Sequence, residues 1–316
     1  MPLPDQIVAA MPEDQNQSMP TDDFSIAFHV GAHKTATSHL QRSLLLASDQ
    51  LIDAGVRYYG PEHFRLPGRT ISALFGLRPR RGAGRSKRSP QDQLALMRKS
   101  AQRLVFSEEN FIGTLANPRR QRIEMYYPRA EIKVSRLAQA LGRPIDVFLG
   151  IRNPAPFLNS VYSQQLLGGK ILPLEEFLKL SPVESVDWVG LVQRLRAVPE
   201  VNNLVVWTYE EYNAVFDDVC AALCGADVRS SVSPIEGRIN PRLSTEAVAE
   251  TLVQHDLGEE GDLAQVARKK FPVESGHKRF DGFSVDQHAA ATQAYEAQIE
   301  AISALEGVTM LSPRKE

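Results

Sequence analysis

Ser25-Ile-Ala-Phe-His-Val-Gly-Ala-His-Lys-Thr-Ala-Thr-Ser38 is the stretch on which the reading of this chain turns. Residues 25–30 form a short β-prone run that stops at Gly31. Beyond it, Leu40, Leu44, Ala47 and Leu51 recur at three- and four-residue intervals, the period of an amphipathic helix. At a strand-to-helix turn, free backbone N–H groups and the positive end of the helix dipole make an anion site. Here Gly31 permits a tight backbone, Lys34 adds a point charge, and Thr35, Thr37 and Ser38 add hydroxyl donors. The competing reading has Thr37 or Ser38 merely capping the helix while Lys34 is solvated. The spacing is not the GxxxxGK[ST] of nucleoside-triphosphate loops, because Lys34 follows Gly31 by three residues and precedes the hydroxyls. Conventional ATP or GTP binding is therefore disfavoured.

Outward from this turn, Asp53-Ala-Gly55 stops the helix and Val56–Tyr59 reads as a second strand, broken by Gly60-Pro61. Helices are expected over Gln91–Arg103, over Arg129–Leu141 with Gly142 as the stop, over Pro154–Leu167 and over Tyr209–Cys224. Strands are expected over Leu104–Ser107, Ile145–Ile151 and Asn203–Thr208. The run Ile145-Asp-Val-Phe-Leu-Gly-Ile151 is mostly apolar, as suits a strand covered on both faces. Alternating strands and helices imply an α/β protein with three layers and a mainly parallel sheet. Everything beyond Pro241 reads as helix-like, with loops near Gly258 and Gly276. The expected organisation is a loose arm over residues 1–23 and one domain over 24–316, with its core in 24–225 and a helical C-terminal part in 241–316.

Composition narrows the classes further. The 316 residues include 36 Lys and Arg against 38 Asp and Glu, a formal net charge of −2, so the global basic excess of a nucleic-acid binder is missing and any anion site must be local. The N-terminal arm has no basic region followed by an apolar one, and no run reaches membrane-spanning length, so a cytoplasmic protein without membrane insertion is expected. Cys220 and Cys224 lack the partners of a zinc site or a redox pair and read as buried, reduced thiols. The Arg- and Gly-rich segment 78–88 reads as a solvated loop, with contact to an acidic acceptor or polyanion as the alternative. No internal repeat is found, and the oligomeric state is left open.

From Lys34 to Ser38 the turn resembles the 5′-phosphosulfate loop of sulfotransferases that use 3′-phosphoadenosine 5′-phosphosulfate (PAPS). That family has a strand, a short turn bearing Lys, a small residue, and then Thr/Ser pairs opening a helix. Two positions depart from the pattern: Ala36, where members often carry Gly, and His33, where the cytosolic branch usually has Pro. A second resemblance lies in Phe148-Leu-Gly-Ile-Arg-Asn-Pro-Ala-Pro-Phe-Leu-Asn-Ser-Val-Tyr162. There Arg152 and Ser160, eight residues later, stand where the family holds the nucleotide's 3′-phosphate. A guanidinium can grip phosphate in bidentate fashion, and a helix hydroxyl can reach the same group. A third, Val205-Val-Trp-Thr-Tyr-Glu-Glu211, is similar to a family strand ending in Tyr-Glu and implies Tyr209 near the adenine. An aromatic capping the sheet is the alternative there.

The resemblance spans about Phe24 to Leu223. It implies a P-loop-like sulfotransferase fold of bacterial type, with the donor held by Gly31, Ala32, His33, Lys34, Thr35, Ala36, Thr37, Ser38, Arg152, Ser160 and Tyr209. It also implies PAPS as donor, 3′,5′-bisphosphoadenosine (PAP) as product, no metal, and a small-molecule or glycan acceptor carrying a hydroxyl or amine. Lys34 would neutralise charge on the bridging oxygen. The family draws its base from just beyond the second strand, here Glu62 or His63, or from just beyond the next core strand, here Glu109 or its neighbour Glu108; a partly desolvated carboxylate at the end of the second strand is expected to carry a raised pKa. His29 and His39 are expected to pack or cap. Arg268-Lys-Lys270 or His277-Lys-Arg279 could cover the nucleotide, although solvated helix ends are the simpler reading. The rival functions are a nucleotide or small-molecule kinase and a non-catalytic nucleotide-binding module.

Overall fold

Six short strands lie side by side in the computed structural model, which describes residues 24–77, 88–115, 122–228, 231–237 and 243–314. They are β1 (Ser25–His29), β2 (Val56–Tyr59), β3 (Arg103–Ser107), β4 (Ile145–Ile151), β5 (Val201–Thr208) and β6 (Val308–Leu311). All pair in parallel, in the order β2-β3-β1-β4-β5-β6. The first part of the chain supplies α1 (Thr37–Leu46), α2 (Ser48–Asp53), α3 (Pro61–Phe64), α4 (Ile71–Leu74), α5 (Pro90–Arg98) and α6 (Ala130–Leu141). The second supplies α7 (Pro154–Leu167), α8 (Leu174–Leu180), α9 (Trp188–Arg196), α10 (Tyr212–Cys224), α11 (Thr245–Asp256), α12 (Leu263–Lys270) and α13 (Val285–Ser303). The arm 1–23 and residues 78–87 of the Arg-rich segment lie outside the described residues.

Alternate residues of each strand enter opposite cores, because side chains on a strand point up and down in turn. Ile26 and Phe28 of β1 join Val134 and Leu137 of α6, Phe157 and Val161 of α7 and Leu191 of α9 on one face. On the other face Ala27 of β1 packs with Leu40 and Leu44 of α1 and with Val215, Phe216 and Val219 of α10. The three-layer α/β/α architecture expected from the alternation is therefore present. All seven residues of β4 are buried, as its apolar sequence requires. Both cysteines are free and buried within α10, and burial pushes the Cys224 thiol up to about 12. Among the described residues no helix is long and apolar enough to cross a membrane.

Several boundaries differ from the sequence reading. The helix after the turn breaks at Ala47 into α1 and α2. The helix expected over Gln91–Arg103 ends at Arg98, where Lys99 takes a left-handed φ of 53°, and Arg103 already belongs to β3. The helix expected from Tyr209 starts at Tyr212, since the Tyr209 N–H donates to the Ile151 carbonyl at 2.7 Å. The C-terminal part is not wholly helical: Val308–Leu311 pairs with Leu204–Trp207 at the sheet edge. Pairing with the open edge of β5 decides the conformation of this short segment.

The strand order matters for function. From β1 the chain crosses to the edge strand β2 and returns to β3 between the two, whereas from β4 it moves outward to β5 and β6 on the other side. Loops leaving β1 and β4 thus diverge, opening a crevice at the carboxyl ends of these neighbouring strands, where open parallel sheets bind ligands.

Candidate active site at the β1–β4 crevice

Beyond β1 the chain lies against β4, with Val30 N–H donating to the Phe148 carbonyl at 3.0 Å and Ala32 N–H to that of Gly150 at 3.4 Å. Close contact needs glycine on both sides. A Cβ on Gly31 (φ 45°) would lie 2.9 Å from Thr37 Oγ1, and one on Gly150 would lie 2.9 Å from Thr35 Oγ1. Lys34 and Ala36 also take left-handed φ values, 66° and 64°, which costs about 1–2 kcal/mol for each L-residue. Left-handed residues on either side of Thr35 are the kind of backbone from which anion nests are built.

The hydroxyls do not cap the helix. Thr35 Oγ1 and Thr37 Oγ1 donate back to the Ala32 carbonyl at 2.5 and 3.2 Å and so pin the turn. The N-cap of α1 is Ala36, which offers no side-chain acceptor. The opening amides of α1, those of Thr37 and Ser38, therefore keep the orientation and dipole of an uncapped helix terminus.

Arg152 comes to the same place from the end of β4. Its Nη1 donates to the Lys34 carbonyl at 2.8 Å, joining residues 118 apart in sequence, and its guanidinium stacks 4.0 Å over the Tyr209 ring. The Arg152 carbonyl is fixed by Trp188 Nε1 at 2.7 Å. Next to it, Asn153 Oδ1 caps α7 through Ala155 N–H and Asn153 Nδ2 donates to Thr292 Oγ1 of α13. Ser160, 7% exposed on α7, makes no side-chain hydrogen bond among the described residues. Its neighbour Asn159 anchors the C-terminal loop, bonding Asp281 and the Gly282 N–H. In the two basic clusters, Lys270 pairs with Glu250 and His277 with Glu246.

The carboxylates divide into two kinds. Glu62 opens α3; its Oε1 accepts from Gly60 N–H at 3.0 Å and faces His63 Nδ1 at 3.1 Å, while Oε2 has no hydrogen-bond partner among the described residues. The His63 ring lies edge-on to Tyr59. Glu108 receives both Nε and Nη2 of Arg65, and Glu109 receives Arg65 Nη2 at 2.6 Å and Gln41 Nε2 at 3.0 Å. Burial alone would raise the Glu109 pKa, but Arg65 and Gln41 outweigh it and hold the carboxyl below its ordinary value.

Sequence reasoning missed the partners of these groups. His29, fully buried, meets Ser107 Oγ at 2.8 Å, and Gln41 Nε2 joins Ser107 to Glu109. Burial lowers the His29 pKa to about 4, against a smaller opposing pull from Glu109. His39 packs as expected, with its ring nitrogens against Tyr212 Oη and the Ile235 carbonyl. His33 is held between Tyr127 and Asn110. Arg65, Asn110 and Tyr127 lie in loops without periodicity, so no local pattern marked them.

No protein-family model matches the chain, and no curated protein matches it. Among solved structures it is similar to a sulfotransferase from Alicyclobacillus acidocaldarius, at 16% identity and a TM-score of 0.40, over 78% of this chain and 96% of that one.

Proposed function

We propose that this chain is a sulfotransferase that moves a sulfuryl group from PAPS to a hydroxyl or amine of a small-molecule or glycan acceptor. The observation that carries the reading is the hydrogen bond from Arg152 to the Lys34 carbonyl. It joins an anion-binding turn and a phosphate-gripping arginine at the switch point of a parallel sheet. In this reading the amides of the turn and of α1 hold the 5′-phosphate, and Arg152 and Ser160 take the 3′-phosphate. Tyr209, already stacked on Arg152, borders the adenine.

The acceptor oxygen or nitrogen attacks sulfur, the bond from sulfur to the bridging oxygen breaks, and PAP leaves with that oxygen. Lys34 offsets the negative charge that gathers there. The acceptor proton passes to a base, for which Glu62 is favoured because one of its oxygens is uncommitted, whereas both oxygens of Glu109 are bonded. His63 beside Glu62 is the second candidate.

Calorimetry with PAP, followed by incubation with radiolabelled PAPS and glycans, lipids or hydroxylated small molecules, tests the reading. PAP binding with label transfer supports it. PAP binding without transfer to any acceptor points instead to a nucleotide-binding module, and a preference for ATP with Mg²⁺ points to a kinase.

A further inference from the structure

His33 immediately precedes Lys34, and its backbone and ring are both tied to one hydroxyl. Tyr127 Oη lies 2.9 Å from the His33 backbone nitrogen and 2.9 Å from His33 Nδ1. The amide can only donate, so Tyr127 accepts from it, and the single phenolic proton is left for Nδ1. The opposite side of the ring independently places a proton on Nε2. Arg65 holds Glu108 as an acceptor through two nitrogens, and Glu108 Oε1 takes both the backbone N–H and the Nδ2 of Asn110. That fixes the Asn110 amide, so its Oδ1, 3.1 Å from His33 Nε2, must be offered a proton. Taken together, the Asn110 side requires a proton on Nε2 and the Tyr127 side gives Nδ1 a donor, so His33 is neutral with its proton on Nε2. Burial, which lowers the His33 pKa, acts in the same direction.

Tyr127 is itself placed at a cost. It has a left-handed φ of 55°, it is 2% exposed, and Arg194 Nη1 bonds its carbonyl at 3.1 Å. Gly113 leaves space for its ring, since a Cβ there would come within 2.8 Å of Tyr127 Cδ1. Strain of this kind persists where surrounding contacts over-determine a conformation, and it gathers at functional sites. Here the over-determined element is the backbone entering Lys34, whose own φ is left-handed.

We propose that Tyr127 and Asn110 are positioning residues that clamp His33 as its Nε2–H tautomer and so hold the anion-binding backbone around Lys34 in its ligand-ready shape. Neither needs to touch the nucleotide. The link to ligand binding rests on the function proposed above, while the tautomer does not.

Two measurements on the full chain separate these claims. Nitrogen-15 imidazole spectra of the wild type, assigned with His33→Gln, should show one neutral histidine with the proton on Nε2. In Tyr127→Phe that signature should be lost or averaged. Calorimetry should find PAP bound about tenfold more weakly by Tyr127→Phe, with adenosine 3′-phosphate changed by less than about twofold. Those magnitudes correspond to losing one or two hydrogen bonds near the 5′-phosphate alone. Gly113→Ala, which displaces the Tyr127 ring without altering its chemistry, should reproduce the selective loss, and Asn110→Asp, which keeps an acceptor toward Nε2, should retain more affinity than Asn110→Ala. A wild-type ring protonated on Nδ1, or charged at neutral pH, overturns the clamp. Equal weakening of both nucleotides, or no weakening, overturns its positioning role. A wild type that binds neither nucleotide refutes the donor reading instead, and the ring spectrum still decides the clamp.

Discussion

At the β1–α1 junction Ala36 stands at the N-cap without a side-chain acceptor, and the turn before it is strained at Lys34 and Ala36. At the neighbouring β4–α7 junction Asn153 caps the helix through Ala155 N–H, Pro154 takes the first helical position, and no residue is left-handed. Both junctions face one crevice, yet only α7 has its terminus satisfied from within. A terminus closed by its own cap has less to offer an anion; in the proposed reading the β4 side would therefore contribute a side-chain cation, Arg152, and the β1 side backbone. Under the proposed function, this difference would give the two ends of a bisphosphate nucleotide two kinds of recognition, backbone amides at one and a guanidinium at the other.

The largest effect should come from the turn's own cation. Lys34→Ala should lower PAPS-dependent turnover by about two to three orders of magnitude with the circular dichroism spectrum unchanged, as for loss of a transition-state electrostatic donor. Near-normal turnover would erase the distinction between the junctions. Next comes acid stability, which also belongs to the β1 side. His29 has a folded pKa of about 4, below the unfolded value near 6.5, so the unfolded chain binds the extra proton between those pH values. Its contribution is fully present above pH ~6.5 and is lost as pH falls toward ~4, amounting to about 3 kcal/mol. Urea midpoints across that range should fall, and His29→Gln should flatten the slope.

On the β4 side, Arg152→Ala should weaken PAP by tens of fold, equivalent to roughly 1.5–3 kcal/mol. Adenosine 5′-phosphate should lose only severalfold, through the missing bond to the Lys34 carbonyl. Calorimetry showing equal losses for both nucleotides would mean that Arg152 serves the turn rather than the 3′-phosphate. The smallest effects should run in opposite directions. Asn153→Ala should destabilise the fold by about 1 kcal/mol through the lost cap, whereas Ala36→Gly should stabilise it by about 1 kcal/mol by relieving the left-handed strain. Thermal melts of the pair check the contrast, and two shifts of the same sign would break it.

Much of the frame was legible from local pattern. The strand-turn-helix around Gly31, the buried run Ile145–Ile151 and the stop at Gly142 all depend on periodicity or backbone freedom within a dozen residues, and each appears where its pattern falls. The left-handed Ala36 also makes sense of the glycine often found at that place in the family the turn resembles. The helix start at Tyr212 and the strand Val308–Leu311 were not legible, because a tertiary bond from Tyr209 and an open sheet edge decide them.

By itself, then, the sequence determined the five strands β1 to β5 and the long helices beside them, and that one strand-to-helix turn carries a lysine among hydroxyls, since these follow from short-range sterics and apolar spacing. Only the tertiary structure decided who meets whom. Parallel pairing of β1 with both β3 and β4 brings Arg152 to Lys34, sets Glu109 beside Arg65 where its carboxyl pKa falls, and leaves Glu62 with a free oxygen. Tyr127 reaches His33 across 94 residues. Such partnerships depend on strand order and on loops without periodicity, and the electrostatic character of each carboxylate and histidine follows from the partner rather than from the residue.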